Sequence, residues 1–269
     1  MPSRLATDSV GAETINHHAT IGVLGCSGRV GSLIVREILA RHFGAGVTLA
    51  GGTVRSGYPV QGDFYTTDNP EDLFARADVL IDFTNPESTA RHMWLAAKHH
   101  KPLVIGTTGL LDAQHAEMSD AAKEAPLLYA ANMSVGVNLL LALVEQAAAR
   151  LGPEYDIEIM ESHHRHKVDS PSGTALALGK AAQAGRGTGE FVTDSRKGAR
   201  SAGTIGFAVQ RGGDVVGEHD VSFFGPGERL VLSHKATDRA LFARGAVRAA
   251  VWLKDRNPGL YSMRDVLDL

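Results

Sequence analysis

A single cysteine, Cys26, stands among the 269 residues, which excludes an intramolecular disulfide framework and a cysteine-built zinc site. Such a chain suits a reducing compartment. Aromatic residues amount to only 6%, too few to interleave with basic side chains as a nucleic-acid surface requires. An excess of charge of one sign is also missing. Lys and Arg number 27 against 30 Asp and Glu, a formal charge of -3, so no global field draws the protein to nucleic acid or to an anionic membrane. No run approaches the ~18 apolar residues of a membrane span, and residues 1–19 lack the apolar core of a signal peptide. A cytoplasmic protein is therefore expected, with residues 1–19 as a flexible leader and neither nucleic acid nor membrane as partner. What is present is 43% hydrophobic residues, enough for a core, over a length that suits two domains.

The stretch TIGVLGCSGRVGSLIVREILARH (20–42) is a short apolar run, a glycine-rich turn, then apolar residues at helical spacing: Val30, Leu33, Ile34, Ile38 and Leu39. Strand, turn and helix follow. Glycines at 25, 28 and 31 suit a turn whose backbone approaches a pyrophosphate at a helix N-terminus; a plain tight turn is the competing reading. Further strands are expected at 47–54, 78–84, 102–109 and 126–136, with a helix over 85–100 capped by Asn85 and opened by Pro86. Alternating strands and helices predict an α/β fold, a Rossmann-like doubly wound parallel sheet. Ligands of such sheets bind beyond the carboxyl ends of the strands, where Asp82-Phe83-Thr84, Gly106-Thr107-Thr108 and Ala130-Ala131-Asn132 fall.

An NAD site usually places a carboxylate at the end of the second strand. Here Gly52-Thr53-Val54-Arg55-Ser56 offers none, and Arg55 is suited to a 2′-phosphate. NADPH is the expected reductant, with NADH as the second choice; Arg55 as an ordinary solvated side chain is the alternative.

The segment YDIEIMESHHRHKVDSPSGTALALGKAA (155–182) crowds three histidines, an arginine and a lysine into residues 163–167. Strand alternation sets Ile157, Ile159, Glu161 and His163 on one face and Glu158, Met160, Ser162 and His164 on the other. Ser170 as N-cap and Pro171 as first helical residue would then open a helix whose free N–H groups belong to Ser172, Gly173 and Thr174. Those donors beside His163, His164, Arg165, His166 and Lys167 make a pocket for a small molecule with more than one carboxylate or phosphate. Histidine and lysine there can also move protons. Adjacent strand histidines diverge, which argues against a metal; simple surface charge is the remaining alternative.

Residues 186–203 are expected as a long mobile loop, and 204–236 as an antiparallel meander broken by Gly-Gly-Asp and Gly-Pro-Gly. His219 and His234 within it are either structural or substrate-adjacent. A last helix carries Leu241, Phe242, Val247 and Trp252 and is expected to return to the first domain. The organisation that results is a dinucleotide-binding domain from 20–134 and 240–269, and an α+β substrate-binding and oligomerisation domain from 135–239.

In order along the chain, GCSGRVG, IDFTNPE, VIGTTG, AANMSVGVNLL, HHRHKVDSPSGTA and GTIGFAVQRGGDVVGEH resemble the 4-hydroxy-tetrahydrodipicolinate reductase (dihydrodipicolinate reductase) family from about residue 20 onward. The histidine-lysine-PSGTA segment is the specific part. The resemblance implies an NAD(P)H-dependent oxidoreductase of diaminopimelate and lysine biosynthesis, a homotetramer built through its second sheet, acting on a cyclic imine-like dicarboxylate. It implies His163 as proton donor and acceptor, Lys167 as companion donor, and His164, Gly173 and Thr174 on the substrate carboxylate. It implies a dinucleotide lined by Gly25, Cys26, Ser27, Gly28, Arg29 and Val30, by Arg55, by Gly106, Thr107 and Thr108, and by Ala130, Ala131, Asn132 and Met133. Many members carry Glu before the arginine at the second strand's end; Val54 stands there in this chain. A related two-domain amino-acid dehydrogenase and a non-catalytic dinucleotide sensor are the rival readings.

Overall fold

The structure is a computed structural model that describes residues 18–55, 57, 62–193 and 198–269. The expected leader lies outside the described residues except for its last two, and Ala19 already opens the first strand. The chain runs β1 (Ala19–Leu24), α1 (Arg29–Leu39), β2 (Val47–Thr53), β3 (Thr66–Thr67), α2 (Pro70–Arg76), β4 (Val79–Asp82), α3 (Pro86–His99), β5 (Leu103–Ile105), α4 (Asp112–Ala121) and β6 (Pro126–Tyr129). It continues through α5 (Val135–Arg150), β7 (Asp156–His163), α6 (Gly173–Arg186), β8 (Phe191–Val192), β9 (Ile205–Arg211), β10 (Gly217–Gly225) and β11 (Glu228–Ala236). It ends with α7 (Ala240–Leu253), β12 (Gly259–Tyr261) and α8 (Met263–Leu267).

Seven parallel strands form the first sheet in the order β12-β6-β5-β4-β1-β2-β3. The chain winds outward from β1 through β2 and β3, then returns to the other side of β1 to lay down β4, β5 and β6. The order therefore reverses between β1 and β4, and the crevice of a doubly wound sheet opens there. Apolar runs fill these strands because both faces are covered. On one face Ile34, Val35 and Ile38 of α1 pack with Ala243, Ala246, Val247 and Ala250 of α7. On the other, Leu73 and Phe74 of α2 meet Met93, Leu95 and Ala96 of α3 and Met118 of α4. Leu39, expected on the apolar stripe of α1, is instead exposed at its C-terminal end. The buried Glu37 of α1 accepts Arg244 Nε of α7 at 2.8 Å, so the late helix is tied to the first sheet by charge as well as by packing.

The second sheet is mixed, with order β11-β10-β7-β9-β8. The meander expected over 204–236 does not form: β10 and β11 are an antiparallel hairpin, but β7 lies between β9 and β10 and pairs parallel with β9. The apolar partners explain the insertion. Ile157 and Ile159 of β7 stand beside Ile205 and Phe207 of β9 and Val221 and Phe223 of β10, and these six are buried under Leu178 and Ala182 of α6 and Leu140 and Val144 of α5. The segment 186–203 is not wholly a loop, since β8 pairs with β9 and Arg200 binds Asp156 at 2.8 Å and Glu158 at 3.0 Å; residues 194–197 lie outside the described residues.

Candidate functional site

A cavity of about 1040 Å³ opens at the crevice between β1 and β4. The turn between β1 and α1 forms its floor. Gly25 sits at φ +80, the left-handed region open to glycine. Gly31 lies so close that a Cβ there would stand 2.2 Å from the Gly25 carbonyl oxygen. Gly28 caps α1 without any side-chain bond, so the first-turn N–H groups of that helix are available to an anion. This arrangement fits a dinucleotide pyrophosphate. Gly25, Ser27, Gly28, Arg29, Val30, Arg55, Gly106, Thr107, Thr108, Ala131, Asn132 and Met133 all line the cavity.

Two residues expected at the dinucleotide sit elsewhere. Cys26 turns its side chain into the core under the turn, 2% exposed, and burial pushes its thiol up to about 11. Ala130 lines the neighbouring cavity instead.

Beneath the cleft, Asp82 is fully buried at the end of β4. Its carboxylate accepts Thr84 N at 3.0 Å and Oγ1 at 2.6 Å, Thr89 Oγ1 at 2.8 Å and His92 Nδ1–H at 2.8 Å. Thr84 N also donates to Thr107 Oγ1 at 3.1 Å, which pins the loops after β4 and β5 to one another. These loops carry the Thr84 and Gly106–Thr108 part of the lining, so their shape does not depend on solvent-facing side chains.

The second cavity, about 1120 Å³, lies between this cleft and the second sheet. Arg29, Val30, Thr108, Ala131, Asn132 and Phe242 line both. Asn132 Nδ2 donates to Thr174 Oγ1 at 3.1 Å, joining the loop after β6 to the start of α6.

That start is two residues later than expected. Ser172, not Ser170, is the N-cap, its Oγ accepting Ala175 N at 3.1 Å, and the Ser170–Pro171 peptide before it is cis. The Ser172 N–H is not free, because it donates to Glu161 Oε1 at 2.9 Å. Gly173 and Thr174 remain as the N–H groups presented to the second cavity, and both line it. His163, His164 and Lys167 line it as well; Arg165 and His166 are exposed outside the lining.

Alternation along β7 holds through His163, its last residue, but His164 lies past the strand and lines the same cavity as His163 rather than an opposite face. Glu161 and His163 are buried and His164 is half-buried. His163 donates Nδ1–H to Glu161 Oε2 at 2.5 Å, and its Nε2 occupies space that a Cβ on Gly217 would crowd at 2.9 Å. Partial burial, then Arg239 among the surrounding cations, lowers the His164 pKa below its ordinary value. Lys167 is ion-paired with Asp169, whose carboxyl it holds below the usual range. His219 is structural and adjacent to the site at once: Nε2 lies 3.0 Å from Ser172 Oγ and its ring meets that of His163 edge-on at 5.2 Å. His234 is farther back, with Nε2 3.5 Å from Ser134 Oγ.

The two halves of the chain match two domain patterns of one family: dihydrodipicolinate reductase, N-terminus, over residues 19–133 and dihydrodipicolinate reductase, C-terminus, over residues 136–267. The chain belongs to the dihydrodipicolinate reductase family. It is 48% identical over 263 residues to the 4-hydroxy-tetrahydrodipicolinate reductase of Chelativorans sp. (strain BNC1), covering 91% of this chain and 94% of that protein. The corresponding protein of Zymomonas mobilis is 46% identical over 254 residues, covering 93% and 97%. Among solved structures, the dipicolinate-bound dihydrodipicolinate reductase of Paenisporosarcina sp. TG-14 superposes with a TM-score of 0.78 at 23% identity, over 91% of this chain and 97% of that one. The family's fold is thus the fold described above.

Asp68 and Arg239 are among the lining residues not named from the sequence. Asp68, just after β3, lines the cofactor cleft together with Arg55. Val54 N bonds Thr67 O at 3.0 Å, so the ends of β2 and β3 lie side by side and bring Asp68 to the place where a β2 carboxylate is missing. Arg239, before α7, lines the second cavity. No helix among the described residues is long and apolar enough to cross a membrane.

Proposed function

We propose that the protein reduces 4-hydroxy-tetrahydrodipicolinate to tetrahydrodipicolinate, with NADPH preferred over NADH, in diaminopimelate and lysine biosynthesis. In the balanced reaction, substrate, NAD(P)H and one proton yield the reduced ring, NAD(P)+ and water. The observation that carries this reading is the shared wall of the two cavities, which sets proton-bearing side chains and a helix N-terminus beside the dinucleotide cleft. The curated relatives carry the same activity in their names.

When bound, the reduced nicotinamide supplies the hydride that the ring accepts. The first-turn N–H groups of α1 hold the pyrophosphate, and Arg55 takes the 2′-phosphate. Gly173 and Thr174 N–H, at the positive end of α6, receive one substrate carboxylate, with His164 beside it. Lys167 neutralises negative charge and, with His163, supplies the proton that the ring requires after reduction. A two-domain amino-acid dehydrogenase or a dinucleotide sensor has no use for this cluster. The open face of the second sheet, which exposes Met160, Phe224 and Val231, is the surface through which four copies assemble, and the cytoplasm is the compartment.

The test generates the substrate in place from pyruvate and aspartate semialdehyde with the upstream synthase and follows loss of reduced-nicotinamide absorbance. Synthase-dependent oxidation, faster with NADPH at low cofactor concentration, is expected. Equal rates with NADH would retain the reductase and discard the preference. No oxidation by folded, NADPH-binding protein would discard the reductase.

A further inference from the structure

The carboxylate of Glu161 is 1% exposed and lines neither cavity, yet four N–H donors converge on it. Oε2 accepts His163 Nδ1–H at 2.5 Å and Arg211 Nη1 at 2.8 Å. Oε1 accepts Arg211 Nη2 at 2.8 Å and the Ser172 N–H at 2.9 Å. Burial pushes this carboxyl up, but the bonds from Arg211, His163 and Ser172 outweigh it and the net direction is down. It is therefore an anion, and both oxygens are saturated by donors.

The placement follows from two pairings. Residues i and i+2 of a strand share a face, which puts Glu161 against His163. The parallel ladder between β7 and β9 then sets Glu161 opposite Val209 and His163 opposite Arg211, within reach of the guanidinium fork. Arg211 Nη2 also donates to the Asp169 carbonyl at 2.8 Å, so the same fork holds the loop that carries Lys167.

We propose that Glu161 is a positioning residue for the reduction. Through Nδ1–H it fixes the ring of His163 and leaves Nε2 as the nitrogen that exchanges a proton with the substrate. Through the Ser172 N–H it anchors the first turn of α6, so that the next two N–H groups, those of Gly173 and Thr174, point at the substrate carboxylate. Through Arg211 it steadies the Lys167 loop. One buried anion thus holds in register the three substrate-facing parts of the site while touching none of the reactants. The inference rests on the reductase reading above.

A carboxamide cannot replace this anion, because its NH2 group would face donors. Glu161→Gln is therefore expected to lower kcat about 10²-fold, to raise the substrate KM a few-fold, and to enlarge the solvent deuterium isotope effect as proton delivery becomes limiting. NADPH affinity is expected to stay within about twofold, since the cofactor cleft is built from other loops. A merely structural role would move the melting temperature and cofactor binding together and leave the isotope effect alone. A folded Glu161→Gln protein with kcat within about twofold of the parent would overturn the proposal.

A measurement on the unaltered protein stands beside it in case the variant does not fold. In nitrogen-15 histidine spectra, with the His163 signals assigned by their loss in His163→Asn, Nδ1 is expected to carry a proton throughout. A neutral ring protonated at Nε2 alone would equally overturn the assignment. If the parent protein itself lacks reductase activity, the reductase reading has failed; if the parent is active and Glu161→Gln matches it, only this inference has.

Discussion

Lys167 Nζ lies 2.7 Å from each carboxylate oxygen of Asp169, two residues farther along the same loop. The cation proposed for the substrate is thus paired with an internal anion. On the proposed reading, a substrate carboxylate would compete with Asp169 for it. Asp169→Asn removes that competitor while keeping the backbone carbonyl that Arg211 grips. With pyridine-2,6-dicarboxylate as a dicarboxylate probe, read as inhibition of the reductase assay, Asp169→Asn is expected to tighten binding several-fold, and Lys167→Met is expected to weaken it and to lower kcat about 10²-fold. Weaker inhibition in Asp169→Asn would mean that the pair orients Lys167 and does not restrain it.

Gly173 faces open space: a Cβ built there meets no atom within 4 Å. Nothing among the described residues requires glycine at that position, whereas a carboxylate bound at the helix N-terminus, as proposed above, would. Gly173→Ala is expected to leave the melting temperature unchanged or slightly raised and to weaken pyridine-2,6-dicarboxylate inhibition about tenfold. Unchanged inhibition would place the carboxylate elsewhere.

On the proposed reading, cofactor choice would turn on two charged side chains that line the cofactor cleft, Arg55 and Asp68. Arg55→Ala is expected to raise the KM for NADPH about tenfold with little effect on NADH, through loss of a charge-assisted phosphate contact. Asp68→Asn is expected to act in the opposite sense, improving NADPH by removing a negative neighbour of the 2′-phosphate and weakening NADH by removing a ribose acceptor. Parallel changes with both cofactors would disconnect these side chains from selectivity.

The Rossmann turn and the two faces of β7 are legible in the sequence because each depends on residues a few positions apart: Gly25 to Gly31 in one case, Ile157 to His163 in the other. The helix start after the histidines is only half legible. Two serines flank Pro171, both good caps, and what selects Ser172 is the remote Glu161 that takes its N–H. Asp68 is invisible from the sequence because a ribose carboxylate is expected at the end of β2, and Asp68 instead reaches the cleft from just after the neighbouring strand β3. The mixed order of the second sheet is hidden for the same reason. Nothing local says that β7 inserts between β9 and β10, and with that pairing goes the contact between Arg211 and Glu161, fifty residues apart.

Cys26 sits against Gly52, where a built Cβ would come within 2.5 Å of Sγ. With its thiol pushed up to about 11 by burial, it is expected to resist alkylation in the native protein and to react once denaturant is added. Cys26→Ala is expected to cost ~1–2 kcal/mol of stability and to leave the KM for NADPH within about twofold, measured by urea titration and steady-state rates. A large rise in KM would return the side chain to the cofactor site.

His219 gives a pH dependence of stability. Burial, with a contribution from His163, lowers its pKa from 6.5 to about 4. The folded protein keeps this ring neutral while the unfolded chain protonates it. Its contribution is therefore fully present above pH 6.5 and is lost as pH falls from 6.5 toward 4, by up to about 3 kcal/mol. Urea midpoints of the parent are expected to fall more steeply over that window than those of His219→Gln. Parallel curves would show that the ring titrates alike in both states.

The return of α7 and β12 to the first sheet bears on the order in which the molecule can be made. On the ribosome β7 to β11 are all available once Ala236 has emerged, so the second sheet can complete itself early. The first sheet begins sooner and finishes later, because β6 waits for β12 as its edge partner and the α1 face waits for α7 as its cover. Until then Ile34, Val35 and Ile38 lack the cover of Ala243, Ala246, Val247 and Ala250, and this flank keeps apolar surface in water for as long as the C-terminal segment is unmade.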